Sequence, residues 1–454
     1  CSCSDMMMFI ITFLSLLAVD AFVSSASSSV FSPSPVVGRR HIPPVLNAEH
    51  GEALHEIDMV EPVFSEVCEY SGITVARYML ENVRTNPGHP ELVELASIMS
   101  AIDRACKTIS MLVRESELSG LTGLHGGGGS INVQGEEQKK LDLITNTVLK
   151  NSLRFTGKMG VLASEEEDEP VLLDGDVPRA EKDVIISEEY GSKFVCVFDP
   201  LDGSSNVDAN IATGTIFGIF AIPEECSLLG QEPEYEEPNW EMNGMYMTGG
   251  GVPTEKDTVV TDAQMRECGA LQAGNKLVAS GYCLYSSATT LVFSLGGKSC
   301  QGFTLDESVG EFVLTHPDMK IPARGKPIYS VNEANRWEWE APIREYVTAL
   351  QKGEGQTSTK YTHRYIGSMV GDVHRTLLYG GIFGYPADLT NKNGKLRLLY
   401  EAAPMAYLIE AAGGMALSDA QRVLDMVPGH THQRVPCFFG SRDDVLEMRS
   451  YYSA

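Results

Sequence analysis

An α/β fold is predicted by the sequence, on three observations. Apolar residues recur at helical spacing between Glu91 and Arg114. Short β-branched and aromatic runs punctuate the chain from Phe194 to Thr315. A helical pattern then returns at Glu401–Gly413, beyond a boundary at His316-Pro317. At 454 residues the chain is long enough for two domains with substantial cores. A net charge of −26 excludes nucleic acid and anionic membrane as main partners. Ten cysteines in this length are too sparse for a disulfide scaffold.

Residues 1–40 read as a targeting presequence. Met6 to Val19 is an apolar stretch too short to span a bilayer, and a Ser-rich, acid-poor tract follows it to Arg39-Arg40. Residues 41–65 read as a linker. Region 66–315 then forms an N-terminal domain and region 316–454 a C-terminal one. In the first helix, Leu92, Leu95, Met99, Ile102, Cys106, Ile109 and Val113 make a core-facing stripe. A glycine-rich loop runs from Gly120 to Gly135, and a second helix starts near Gln138 with Leu141, Ile144 and Val148 inward. Phe194 to Phe198 reads as a buried strand, ended at Asp199 because Pro200 has no N–H to give the ladder. Gly214–Ala221 is the next strand. Between Glu224 and Asp262 lie ten acidic residues against one lysine, without periodicity, so 224–268 is an insertion. Strands resume at Leu277–Tyr285, Thr290–Leu295, Gly302–Leu305 and Phe312–Thr315.

Chemistry concentrates at Phe198-Asp199-Pro200-Leu201-Asp202-Gly203-Ser204-Ser205-Asn206. Two carboxylates and the Leu201 carbonyl within one turn suit a hard cation such as Mg²⁺. Gly203 lets backbone approach a ligand, and the N–H groups of Ser204 and Ser205 suit phosphate. Further carboxylates stand at element ends: Glu136-Glu137, Asp142, Glu165-Glu166-Glu167-Asp168 and Glu401. Taken singly each is a solvated charge; together they can share a polynuclear Mg²⁺ site. Between Gly355 and Leu399, Lys360, Arg364, Arg375, Lys392, Lys395 and Arg397 face only Asp372 and Asp388, an excess that suits a phosphorylated substrate. Tyr365, Tyr379 and Tyr385 interleave with them and offer hydroxyl donors.

From Ile73 onward, apart from the acidic insertion, the chain resembles the fructose-1,6-bisphosphatases, and more narrowly their plastid form. The resemblance is carried by Asn132-Val133-Gln134-Gly135-Glu136-Glu137 through Asp142, by the eight residues 199–206, and by Arg364-Tyr365-Ile366-Gly367-Ser368-Met369. The runs 374–386 and 393–407 complete it. A short Asp-Pro-Leu-Asp-Gly alone is shared with inositol monophosphatases. The resemblance implies an α+β layered sandwich, helix and sheet layers alternating, in two subdomains. It implies several Mg²⁺ ions per subunit on Glu165, Asp199, the Leu201 carbonyl, Asp202 and Glu401. Glu166 and Asp142 would activate the attacking water, with Glu136 closing over the site. The 1-phosphate would rest on Gly203, Ser204 and Ser205. Asn332, Tyr365, Tyr385, Lys395, Tyr379 and, from a neighbouring subunit, Arg364 would hold the sugar and 6-phosphate.

The same resemblance implies a homotetramer acting in the Calvin cycle or gluconeogenesis, and a presequence of the kind that leads to the stroma of an algal complex plastid. Plastid forms carry an inserted loop whose cysteines thioredoxin reduces. Here the insertion is bracketed by Cys226, which matches the first of them, and Cys268, which does not align with the others, so a Cys226–Cys268 disulfide is the pairing expected. AMP inhibition is not expected, because Phe194 follows Lys193 where AMP-inhibited relatives have a tyrosine. The rival activity is sedoheptulose-1,7-bisphosphate hydrolysis, and the remote one an inactive, redox-regulated binding protein.

Overall fold

A computed structural model describes residues 59–62, 72–123, 130–131, 137–167, 170–172, 193–222 and 269–452. The presequence, Glu136, Asp168 and the acidic insertion with Cys226 and Cys268 lie outside them. Three helices come first: α1 (Val75–Thr85), α2 (Glu91–Arg114) and α3 (Lys140–Arg154). Thr74 caps α1 by accepting from Arg77 N–H. The apolar stripe of α2 is buried as its spacing requires.

An eight-stranded sheet follows, from β1 (Met159–Ser164), β2 (Val171–Leu172), β3 (Phe194–Asp202), β4 (Thr213–Ala221), β5 (Leu277–Tyr285), β6 (Thr289–Leu295), β7 (Gln301–Asp306) and β8 (Glu311–His316). Their order is β8-β7-β6-β5-β4-β3-β1-β2, with β1 and β3 parallel and the other pairs antiparallel. A six-stranded sheet takes the rest: β9 (Ile328–Ser330), β10 (Thr362–His363), β11 (Ile382–Tyr385), β12 (Met415–Ser418), β13 (Gln421–Arg422) and β14 (Cys437–Gly440), in the order β10-β9-β11-β14-β12-β13. Its helices are α4 (Ala341–Lys352), α5 (Met369–Tyr379), α6 (Ala403–Ala411) and α7 (Arg442–Ser450).

Period-two alternation stacks these elements. In β3, Cys196 and Phe198 pack with α1, α2 and α3, while Val195 and Val197 face the opposite way. That second face is covered by α5 and α6 through Val370, Val373, Leu377, Met405 and Leu408. Phe383 and Phe439 of the six-stranded sheet close the same core, and its outer face takes Ile343, Tyr346 and Val445 from α4 and α7. Helices and sheets therefore alternate in five layers. At Gly214 a Cβ would lie 2.6 Å from Val370 Cγ1, so the start of α5 lies directly on β4 only because that position is glycine.

Two local readings change. β3 does not stop at Asp199: pairing with β4 is interrupted there and resumes at Asp202↔Gly214, so Pro200 and Leu201 form a bulge inside the strand. Thr215 Oγ1 holds the bulge by donating to the Pro200 carbonyl at 2.9 Å. Residues 59–62, read as linker, are docked, with Val60 N–H donating to Asn86 Oδ1 and its carbonyl accepting from Asn86 Nδ2.

Candidate active site

The bulge of β3, the end of β1, the start of α3 and the turn before α6 converge on one cavity of about 580 Å³. Asp142, Glu165, Glu166, Asp199, Leu201, Asp202, Gly203, Ser204, Ser205 and Glu401 line one part of it. Asn332, Tyr365, Tyr385 and Lys395 line the rest. Residues from 142 to 401 thus share a wall that no local pattern could join.

Asp199, Asp202 and Glu401 are buried, and each offers an oxygen within 4.8 Å of the others. Burial, then the charges of Glu165, Asp202 and Glu401, raises Asp199 well above the ordinary carboxylate range. Burial likewise raises Asp202 to about 6 and Glu401 to about 8, with neighbouring carboxylates adding to it. Asp202 Oδ2 is held by Ser368 Oγ at 3.0 Å and Val370 N–H at 3.1 Å, both at the start of α5. Asp199 Oδ1 accepts from Leu201 N–H at 2.9 Å. Glu401 sits in a π-helical turn, Leu398–Ala402, where Arg397 N–H reaches its Oε2 at 2.5 Å.

Two side chains were read differently from the sequence. Arg397, placed above in a substrate-facing basic run, is only 4% exposed, and its Nη2 lies 2.9 Å from Glu165 Oε1. Its Nη1 is 3.8 Å from Glu401 Oε2. Arg375 is also spent internally, on Asp372 at 2.7 Å, so Lys395 is the cation of that run left on the cavity wall and exposed. Lys139 and Ser368, which lacked a sequence signal of their own, line the cavity as well.

Asp142 is buried at the N-terminus of α3. Its Oδ2 accepts from Lys139 N–H at 2.9 Å and Ser204 Oγ at 3.4 Å, while Oδ1 is buried without a hydrogen-bond partner. Burial raises it to about 6 against the lowering effect of those donors. Ser164 Oγ, anchored to Asn146 at 2.8 Å, accepts from Glu166 N–H at 3.3 Å and so fixes the turn that carries Glu165 and Glu166.

Gly203 has φ +71° and starts a 3₁₀ turn, Ser204–Ala209, whose first residues Ser204 and Ser205 line the cavity. A Cβ at Gly203 would meet Ser368 Cβ at 3.2 Å, so the approach is close. At the other end, burial and the nearby Tyr385 raise the Tyr365 hydroxyl above its ordinary range, which keeps it a neutral donor. Tyr379 does not join the cavity lining: α5 ends there, and its ring lies 4.0 Å from Lys326 Nζ. Arg364 is exposed and also outside the lining.

Six carboxylates against one buried guanidinium make a wall that repels phosphate, yet amide, ammonium and hydroxyl donors beside it suit phosphate. Cations between the two resolve the conflict, and oxygen-only donors within 4.8 Å fit a hard divalent ion. Fold and site together define a metal-dependent phosphatase. The family model for the fructose-1-6-bisphosphatase N-terminal domain matches residues 73–317, and that for its C-terminal domain residues 321–453. The chain belongs to the fructose-1,6-bisphosphatase family, whose reaction is hydrolysis of fructose 1,6-bisphosphate to fructose 6-phosphate and phosphate.

Among its relatives, the chloroplastic fructose-1,6-bisphosphatase of Brassica napus is 44% identical over 360 residues, 79% of this chain and 77% of that one. The cytosolic enzyme of Oryza coarctata is 42% identical over 382 residues, 84% of this chain and 94% of that one. The crystal structure of Leishmania major fructose-1,6-bisphosphatase in holo form superposes with a TM-score of 0.68 at 36% identity, covering 85% of this chain and all of that one.

Proposed function

We propose that the hydrolysis requires Mg²⁺, held by Asp199, Asp202, Glu401, the Leu201 carbonyl and Glu165, with more than one ion per subunit. The observation that carries this reading is the buried Asp199–Asp202–Glu401 trio, oxygen-only and short of positive charge. When bound, the ions neutralise phosphate charge and lower the pKa of a water. Glu166 with Asp142 takes the proton of the attacking water; the Asp142 pKa of about 6 leaves it largely ionised at neutral pH and still basic. The N–H groups of Gly203, Ser204 and Ser205 bind the 1-phosphate oxygens and hold the group in line as the C1 alkoxide leaves. Glu136 acts from the glycine-rich loop as a further carboxylate. Water attacks directly, so no phosphoenzyme forms.

Asn332, Tyr365, Tyr385 and Lys395 receive the sugar and 6-phosphate, joined by Arg364 of a neighbouring subunit in a homotetramer. Tyr379 flanks them from outside. Region 66–315 supplies most of the hydrolytic site and region 316–454 the sugar-binding site, with Glu401 of the latter completing the metal ligands. Phosphate release from fructose 1,6-bisphosphate, titrated with Mg²⁺ and then with chelator, tests the core of this reading. Activity that survives chelation overturns it. A higher specificity constant for sedoheptulose 1,7-bisphosphate overturns the substrate preference, and a monomeric mass in light scattering overturns the tetramer.

We also infer thiol–disulfide control by thioredoxin through Cys226 and Cys268, and residence in the plastid stroma. The insertion in the sequence and the chloroplastic relatives support both. Equal activity with and without dithiol, with two free thiols at these positions after oxidation, rejects the first. A fluorescent fusion of residues 1–40 that stays outside the plastid rejects the second.

A further inference from the structure

Of the carboxylates that line the cavity, the hydrolytic and sugar-binding assignments leave one, a buried one, without a task. Asp372, in the first turn of α5, is 0% exposed and lies beneath the turn that presents Tyr365 to the cavity. Its two oxygens collect donors from that turn, from β9 and from α5 itself. Ser330 Oγ donates to Oδ1 at 2.7 Å, and Arg375 Nη2 donates to the same oxygen at 2.7 Å. Ile366 N–H reaches both oxygens, at 3.1 and 3.0 Å, and Gly367 N–H reaches Oδ2 at 3.1 Å. Arg375 Nη2 donates as well to the Arg364 carbonyl at 3.0 Å. The backbone is thereby fixed on both sides of Tyr365, by Arg364 before it and Ile366-Gly367 after it.

A carboxylate taken fully out of water is a poor way to stabilise a helix, because desolvation offsets most of what its pairings contribute. An aliphatic side chain would pack α5 at least as well. What an aliphatic side chain could not do is hold two successive N–H groups of a turn whose Gly367 has φ +84°. The same stretch is tied to the hydrolytic wall at its other end, where Ser368 Oγ and Val370 N–H bind Asp202 Oδ2. Eight residues, 365–372, therefore span from the ligand-bearing wall to the sugar end with a hydrogen-bonded anchor on each side.

We propose that Asp372, with Arg375, is a positioning residue for the distal phosphate: it sets the Tyr365 turn at the separation from Asp202 that a substrate with two phosphates requires. Resting on the assignment of Tyr365 to the 6-phosphate, the proposal predicts that Asp372 governs discrimination between one and two phosphates and leaves bond cleavage alone.

The measurement is the ratio of kcat/KM for fructose 1,6-bisphosphate to kcat/KM for fructose 1-phosphate, which carries the same scissile group and no distal phosphate. For Asp372→Asn, the bisphosphate value is expected to fall about a hundredfold, as for an ångström-scale misplacement, with the monophosphate value nearly unchanged. Arg375→Gln and Ser330→Ala, each removing one donor, are expected to lower the ratio about tenfold, and they keep the proposal testable where Asp372→Asn does not fold. Tyr365→Phe serves as the reference. Equal losses on both substrates mean that Asp372 only supports the fold, and overturn the proposal. A lower ratio in Tyr365→Phe with an unchanged ratio in all three clamp variants overturns the clamp and spares the Tyr365 assignment. An unchanged ratio in Tyr365→Phe overturns that assignment, and the proposal with it.

Discussion

At the hydrolytic end, Asp142, Asp199, Asp202 and Glu401 are all buried, and burial raises the proton affinity of each. At the sugar end, Lys395 is exposed and Asn332 and Tyr385 are half-buried, each from a different loop or strand end. The first region holds its charges where solvent cannot relax them, so their positions matter for the transition state. The second presents donors to a group that carries the same charge before and after reaction, so it contributes uniform binding. Substitutions at the two ends should therefore separate into effects on kcat and effects on KM.

The largest expected effect is at Glu166. Glu166→Gln keeps the volume and removes the base, and should lower kcat about a thousandfold while calorimetric binding of the bisphosphate is retained. Comparable loss of binding would break the distinction between the two ends. Next comes His432, which belongs to neither. Its Nδ1 accepts from Tyr400 at 2.7 Å and its Nε2 donates to the Glu167 carbonyl at 3.0 Å. The ring therefore ties the Glu165-Glu166 turn to the turn that carries Glu401. His432→Ala should weaken divalent-cation activation about tenfold or more, and direct cation binding by calorimetry should weaken in parallel, with KM unmoved. At the sugar end, Lys395→Ala should raise KM for the bisphosphate about tenfold at constant kcat, the loss of one charge-assisted hydrogen bond. A fall in kcat would show that Lys395 acts on the reacting phosphate instead.

How much of this was legible in the sequence follows from how local each feature is. The bounds of α2 could be read from its helical apolar period, and those of β5 from a run of apolar and small residues that is buried throughout. The Asp199–Asp202 pair was legible because its ligands lie within one turn. Arg397 was misread because a count of charges along the chain carries no information on burial: its partners, Glu165 and Glu401, are 232 residues and 4 residues away. Asp372 was counted as a charge opposing the basic run, and its donors at 330, 366, 367 and 375 meet it only after β9 and α5 have packed. Pro200 was expected to end β3. The ladder resumes beyond it because Thr215 and Leu201 N–H satisfy the bulge, a pairing that strand propensity does not encode.

The smallest effect expected is one that should touch neither end. His374 lies on α5, and its Nδ1 is hydrogen-bonded to the Tyr282 hydroxyl of β5 at 2.7 Å. Burial, with a lesser contribution from His316, lowers its pKa from 6.5 to about 4. Between those values the unfolded chain binds a proton that the folded protein refuses. Stability therefore decreases as pH falls through 6.5 toward 4, and no further decrease from this group follows below 4. The full effect is on the order of 3 kcal/mol. His374→Gln keeps a hydrogen-bonding partner for Tyr282 and removes the titration, so the slope of unfolding free energy against pH in that window should flatten. Both kcat and KM should stay unchanged at neutral pH. An unchanged slope would overturn the assignment to His374, because the carboxylate wall titrates in the opposite sense: its raised carboxyls favour folding at low pH and lose that advantage as they ionise. The sign of the slope thus reports which of the two, His374 or the hydrolytic wall, governs stability in mild acid.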